Sequence, residues 1–327
     1  MRFFESYAGM YMLQSVVHSL VALFIVEMSL RIWSVEDSHE RFRYRLLVMV
    51  LPFIMFPAFQ FINPERGSFY FIQDSALFSS LRWVRIEMFG KMPFAYAFLC
   101  VVSAVAVIVI LQEILPIVRD RIAEPRGFDC RHPDPAVEAM VTELSVRMGV
   151  SKPSVCVIDD ERPFIFTSGT KAHTIVISEP LFRLLDMRQL RSALAHELAH
   201  IVRRSNVTTL LVFFIRIFMF YNPVSLLEFR MLVQDDEHIC DDITVSITRD
   251  PEGLASALRL FWLDMPQREK IRLAEVKQVI ETSSHNLQLH ERIVRLEEGR
   301  AFTDASYGWG RFGATLATIV VMNYFIV

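Results

Sequence analysis

Ala195-His196-Glu197-Leu198-Ala199-His200 is the stretch on which the reading of this chain turns. On a helix, His196 and His200 lie one turn apart and project from the same face. Two imidazoles so placed can bind one Zn2+. Glu197 sits about 100° round from His196, beside the metal rather than on it. A carboxylate there can take a proton from water and pass it to a leaving amine. The neighbours fit a helix: Leu194, Leu198 and Ile201 form an apolar stripe, and Ala193, Ala195 and Ala199 favour helicity. Chance alone places H-E-x-x-H in roughly one or two of every hundred such chains. The string therefore needs support from elsewhere in the sequence.

That support lies about forty residues on. A zinc site with two histidines and a carboxylate usually draws its third ligand from a separate helix. Glu237, within QDDEHICDD at residues 234–242, is the best candidate. Asp241 follows one turn later on the same face, where it can accept a hydrogen bond from a ligand histidine and fix its tautomer. Asp235, Asp236, Asp242 and His238 are rivals by chemistry alone. Without the upstream motif, a solvated acidic helix face would account for the same residues.

Farther out, the first third holds three apolar stretches, at residues 8–32, 46–62 and 94–118. A helix needs about 20 apolar residues to cross a bilayer core. Residues 1–118 are therefore read as a membrane domain with three transmembrane helices. The first stretch is too long for a signal-peptide core and lacks a small-residue cleavage site, so it is kept as mature structure. His18 and Glu27 inside it are read as facing the bundle. Arg31, Arg41, Arg43 and Arg45 follow the first stretch, and Arg119, Arg121, Arg126 and Arg131 follow the third. Both clusters mark cytoplasmic ends, while residues 81–88 read as an interfacial segment.

Residues 119–306 have the texture of a mixed globular domain. Val137, Met140, Val141, Leu144 and Met148 recur at helical spacing, and Gly149 supplies a stop. Short β-type runs follow at 154–158, 164–167 and 174–178. Further helices are predicted at 188–204, 224–247, 253–263 and 271–280. The apolar run at 207–220 carries Arg216 and, at 14 residues, suits a membrane-proximal helix better than a crossing. Residues 307–327 are read as a fourth transmembrane helix. The expected fold is mainly α: a helical membrane bundle plus an α+β domain with a small sheet.

Composition agrees. Just over half of the 327 residues are apolar, and 27 are Phe, a load that soluble domains rarely carry. A net charge of −3 offers no polyanion-binding surface and argues against nucleic acid as a partner. The four cysteines form no C-x-x-C pair, which argues against thiolate zinc clips and fits reducing surroundings.

RSALAHELAHIVRRS at 191–205, YNP at 221–223 and EHICDDITV at 237–245 together resemble the integral-membrane gluzincin metallopeptidases of the BlaR/MecR signal-transducer type. RFRYRLLVMVLPFIMF at 41–56 resembles their second span. The stretch IVISEPLFRLLDMRQLRSALAHELAH at 175–200 is also similar to the HtpX and CAAX-prenyl protease family. The resemblance implies a zinc endopeptidase of the bacterial inner membrane, its site facing the cytoplasm, acting on membrane or cytoplasmic regulatory proteins. It makes Glu237 the third ligand and Asp241 its support. It also lays the strand at 174–178 along the cleft, where it could bind a substrate backbone by strand addition. Arg292, in HERIVRL, resembles an R-I element of these families; Arg292, His285 and His290 are the candidates for contact with the developing oxyanion. Three departures stand out. The large extracellular sensor domain of the BlaR/MecR type does not follow the fourth apolar segment, so β-lactam sensing is not expected. Phe164-Ile165-Phe166-Thr167-Ser168-Gly169 stands where the heat-shock group has Asn-Ala-Phe before its glycine, and Ser205 stands where the sensor group often has an acid. Two rivals share parts of this pattern. A non-catalytic zinc-binding scaffold would have no need of Glu197, and a transporter would leave Glu237 and Asp241 unexplained.

Overall fold

The computed structural model describes residues 2–79, 82, 86–88, 92–111, 130–160, 163–169, 172–264, 289–299 and 308–327. The predicted helix at 271–280 and His285 lie outside the described residues. The architecture is mainly α, a helical membrane protein with a small mixed sheet. Its helices are α1 (Tyr7–Ile32), α2 (Ser38–Ile62), α3 (Phe69–Asp74), α4 (Phe94–Val109), α5 (Pro135–Met148), α6 (Leu181–Leu184), α7 (Met187–Arg203), α8 (Ser205–Phe218), α9 (Pro223–Thr248), α10 (Pro251–Asp264), α11 (residues 289–297) and α12 (Trp309–Tyr324). The strands are β1 (Glu87–Met88), β2 (Met92–Pro93), β3 (Ser154–Ile158), β4 (Ile165–Ser168) and β5 (Thr174–Ser178).

The chain forms two compact units. One comprises Met1–Ala123, Leu211–Asp235 and Ala305–Val327; the other comprises Glu124–Leu210 and Asp236–Asp304. Residues 211–235, read from the sequence as part of one continuous 119–306 domain, thus cluster with the first unit. The division falls within α8 and within α9.

In the first unit, α1 and α2 are long and apolar enough to cross a membrane. They pack through Ala22, Val26, Leu30, Tyr44 and Val48. Pro52 and Pro57 lie inside α2 without ending it, as neighbouring groups in a bundle permit. Arg45, buried, has Glu27, Glu228 and Asp235 each 3.2 Å from its guanidinium nitrogens. The Glu27 carboxylate thus faces the bundle and meets a partner from α2. His18 is also buried, its Nε2 3.5 Å from the Ile326 carbonyl oxygen. The 16 described residues of α4 cover the first part of the predicted third span; residues 112–118 lie outside the described set. The 16 residues of α12 rise about 24 Å, short of a hydrocarbon core of about 30 Å.

The second unit is built on a three-stranded sheet of order β3-β5-β4, with β3 parallel and β4 antiparallel to β5. The central strand buries Ile175 and Ile177 against Val141, Leu144, Leu194 and Leu198 of α5 and α7. Gly149, at φ 67°, ends α5 in the left-handed conformation that a side chain disfavours. This order corrects the strand-addition reading. Both edges of β5 are paired, so it has no backbone groups left for a substrate; β3 and β4 are the edge strands. Two of the four cysteines are paired. Cys130 and Cys156 form a disulfide with Cα atoms 5.3 Å apart, while Arg131 pairs through its backbone with Val157 along the outer edge of β3. Fixed spacing motifs do not reveal such a pair, because the two cysteines meet only when residue 131 lies on β3.

Candidate metal centre

α7 begins with a reciprocal cap. Asp186 accepts from the Gln189 backbone N–H, and the Gln189 side chain accepts from the Asp186 N–H, satisfying two otherwise orphaned donors. Leu190, Leu194, Leu198 and Ile201 sink into the core. That stripe turns His196, Glu197 and His200 toward a cleft of about 390 Å3, which Ile165, Glu237 and Arg292 also line. The two imidazole centroids are 4.8 Å apart.

α9 supplies the opposing face. His196 Nε2 lies 3.3 Å from Glu237 Oε2, and His200 Nε2 lies 3.7 Å from Glu237 Oε1. Two ligand atoms each about 2.0–2.1 Å from a tetrahedral Zn2+ are about 3.3–3.4 Å apart. The donor chemistry and the spacing therefore fit zinc. Asp241, one turn on, is almost fully buried; its Oδ1 is 3.1 Å from His196 Nδ1, though off the line of a good hydrogen bond. His200 Nδ1 has a different partner, Cys240 Sγ at 3.3 Å. α9 thus provides one candidate ligand, Glu237, and a neighbour for each of the two histidines.

The rivals for the third ligand are engaged elsewhere. Asp236 Oδ1 is 3.1 Å from Arg203 Nε, and Asp242 Oδ2 is 2.7 Å from Arg295. His238 is not among the residues that line the cleft, while Asp235 belongs to the Arg45 cluster. His200, Asp236 and Cys240 form a second donor group among the described residues. It shares His200 with the first group, and the Arg203 guanidinium already neutralises its carboxylate. We assign these residues to orienting His200 rather than to holding a second cation.

Arg292 enters from α11. Leu289, Ile293 and Leu296 of that helix pack on Leu254, Ala255 and Leu258 of α10. Arg292 donates to both oxygens of Asp241 at 2.8 and 2.7 Å, and its Nη1 lies 2.8 Å from Glu237 Oε2. Its Nη2 is 3.3 Å from His196 Nε2. Of the other oxyanion candidates, His290 is exposed and does not line the cleft.

The electrostatics follow from this packing. Burial works against a charged His196, but the adjacent Asp241 and Glu237 carboxylates prevail and raise its pKa to about 9. Burial also opposes charge on Glu237 and Asp241, and the Arg292 guanidinium outweighs it, holding both below the usual carboxylate range. Burial and then Arg295 push His238 down to about 4, so its ring stays neutral at pH 7. A divalent cation entering here must displace a proton from His196.

Two residues at the site, Cys240 and Thr167, escaped the sequence reading. Thr167 of β4 donates its hydroxyl toward Glu197, with Oε2 at 2.9 Å and the backbone oxygen at 3.1 Å. The strand period, which sets Ile165 and Thr167 on one face, is the only trace of this in the sequence.

A zinc-type ligand set on crossed helices, with a carboxylate beside it, defines the metallopeptidase class that this site resembles. Comparison with known proteins narrows it. The BlaR1 peptidase M56 family model matches residues 85–293, and the chain belongs to that family. It is also similar to a protease HtpX homolog of Dictyoglomus thermophilum, 30% identical over 36% of this chain and 51% of that protein. A protease HtpX homolog of Methanothermobacter thermautotrophicus is 34% identical over 38% of this chain and 58% of the relative. The chain spans about half the length of these curated relatives. Among solved structures, S. mikatae Ste24p aligns at 16% identity and a TM-score of 0.36, over 76% of this chain and 67% of that one.

Proposed function

We propose that this chain is a membrane-embedded, zinc-dependent endopeptidase. The observation that carries the reading is the convergence of His196, His200 and Glu237 beside Glu197 in one cleft. His196 and His200 would hold the metal through their imidazoles and Glu237 through its carboxylate. Zinc, when bound, polarises the scissile carbonyl and makes water a better nucleophile at neutral pH. Glu197 takes the proton from the attacking water and delivers it to the departing amine nitrogen. Asp241 and Cys240 keep the two imidazoles turned so that each Nε2 faces the cleft. Arg292, anchored by Asp241, presents guanidinium donors where charge develops on the carbonyl oxygen.

The substrate is a protein or peptide in extended form. Its backbone would add to the outer edge of β4, which pairs with no strand among the described residues, and the apolar walls at Phe164, Leu254 and Leu258 favour an apolar side chain next to the cleaved bond. α1 and α2 anchor the chain in the bilayer. The exposed Leu210, Leu211, Phe214 and Phe218 of α8 give that helix an apolar face suited to lipid, which makes membrane proteins and regulators at the membrane surface the preferred substrates. By the positive-inside rule, and from the family's bacterial inner-membrane setting, we place the site on the cytoplasmic side.

The test is bound metal and casein cleavage or self-cleavage for the detergent-purified full chain. Wild type carries one zinc and cleaves; Glu197→Gln keeps zinc and loses cleavage; Glu237→Ala loses zinc. A wild-type chain that binds no zinc would sink the proposal.

A further inference from the structure

The edge strand that borders the cleft also grips the base. Thr167 is half-buried on β4 and its hydroxyl hydrogen has two acceptors, both on Glu197: the carboxylate Oε2 at 2.9 Å and the backbone oxygen at 3.1 Å. A hydroxyl carries one hydrogen, so the two contacts compete. The Glu197 backbone oxygen lies inside α7, where the helix ladder already supplies a donor. The carboxylate is the stronger acceptor, because hydrogen bonds to ionised groups are roughly twice as strong as neutral ones.

The register of β4 makes the contact directional. Ile165 pairs with Ile177 and Thr167 with Ile175, so both side chains leave the same face of the strand, and Ile165 lines the cleft with Glu197. Phe166, between them, points the other way and is exposed. The other edge of β4 pairs with no strand among the described residues.

We infer that Thr167 is a positioning residue for the catalytic base: it occupies Oε2 of Glu197 and leaves Oε1 to meet the attacking water. A carboxylate on three rotatable side-chain bonds must otherwise be ordered during each turnover, and a fixed donor removes that cost in advance. Because Thr167 belongs to the edge strand, the element that would receive the substrate backbone also sets the aim of the base. This inference rests on the peptidase reading above and deepens it.

The experiment uses the full chain in detergent, loaded with zinc. Thr167→Val keeps the shape and removes the hydroxyl; Thr167→Ser restores it. Zinc content stays at the wild-type level in both, since Thr167 touches no ligand. Thr167→Val lowers kcat by roughly 10- to 100-fold with little change in KM, the range for losing a hydrogen bond to a charged group, and Thr167→Ser recovers most of it. Calorimetric binding of a peptide hydroxamate, whose acidic hydroxyl hands its proton to a carboxylate beside the metal, reads the same geometry without turnover. Its affinity falls about tenfold in Thr167→Val and returns in Thr167→Ser. On a Glu197→Gln background, which removes the carboxylate, Thr167→Val has no further effect on hydroxamate affinity.

An unchanged kcat and hydroxamate affinity in Thr167→Val, with an active wild type, overturns this inference alone. Loss of zinc from Thr167→Val overturns it too, by making the residue a general support of the site. A zinc-loaded wild type that cleaves nothing would defeat the peptidase reading and this inference with it.

Discussion

At the scale of single residues, what separates Glu237 from its rivals is company rather than chemistry. Asp235, Asp236, Glu237, His238 and Asp242 are all competent ligands, and sequence alone ranks them only by their spacing from Asp241. In the structure Arg203 takes Asp236, Arg295 takes Asp242, and Glu237 alone stands within 3.7 Å of both imidazole Nε2 atoms. The H-E-x-x-H residues were legible because one helical turn fixes their relation. Thr167 and Cys240 were not, since their partners lie 30 and 40 residues away. Arg292 was legible only as part of a short resemblance, and its planar fork on Asp241 explains why that residue type is needed there. A lysine cannot make both contacts at once. Arg292→Lys is therefore expected to lower kcat by about tenfold or more, while zinc content stays within about twofold of wild type. Steady-state kinetics alongside metal analysis decide it; equal kinetics would remove Arg292 from the oxyanion role.

At the scale of elements, α5, α7 and α10 of the second unit were predicted to within about two residues, because caps and apolar periodicity are local, whereas α6 and α11 were not predicted. Strand order is not local. Three apolar runs do not say which lies in the middle, and the reading that put 174–178 beside the substrate failed for that reason. The join between α9 and α10 illustrates an element held by a distant partner. Arg188 of α7 makes two hydrogen bonds to Asp250, at 2.6 and 2.5 Å, and Asp250 also accepts from the Gly253 N–H at the start of α10. The Arg188 hydrogen bonds hold the Asp250 carboxyl below its ordinary pKa. A depressed pKa means the stabilisation is complete above the unfolded value of about 3.9 and is lost as pH falls through the folded one. The Arg188 side chain is exposed, so solvent screens the pair and its worth is small. As pH falls from about 4 through the folded pKa, the wild-type chain should lose slightly more thermal stability than Asp250→Asn, measured by melting in detergent across that range. Parallel curves would show that the pair contributes nothing. Asp186→Ala, which removes the cap of α7, should cost about 1 kcal/mol at any pH above that range.

At the scale of the whole molecule, the apolar stretches announced a bundle, but the ion cluster that ties it together was beyond reach. Glu27, Arg45, Glu228 and Asp235 come from three helices, and no spacing rule connects residues 27 and 228. Removing Arg45 leaves three carboxylates around an empty position, two of them buried. Arg45→Met should therefore cost roughly 3–5 kcal/mol, visible as a lower melting temperature in detergent. The side of the membrane on which the second unit lies is open to a sharper test, because the Cys130–Cys156 pair reports on it. Disulfides persist on the oxidising side and are rare in the cytosol. If the site faces the cytoplasm, as proposed, the two thiols are reduced in growing cells and pair only after the chain meets air. A chain keeping just these two cysteines, with Cys100→Ala and Cys240→Ser, makes the readout unambiguous. A membrane-impermeant maleimide should leave intact cells unlabelled, label the chain once the membrane is permeabilised, and fail again after oxidation. A pair already joined in intact cells under alkylating quench would place this unit on the oxidising face. The arginines at 41, 43 and 45 would then lose their meaning as an orientation signal, which is physically reasonable for Arg45 at least, since its charge is spent on the bundle rather than on a loop.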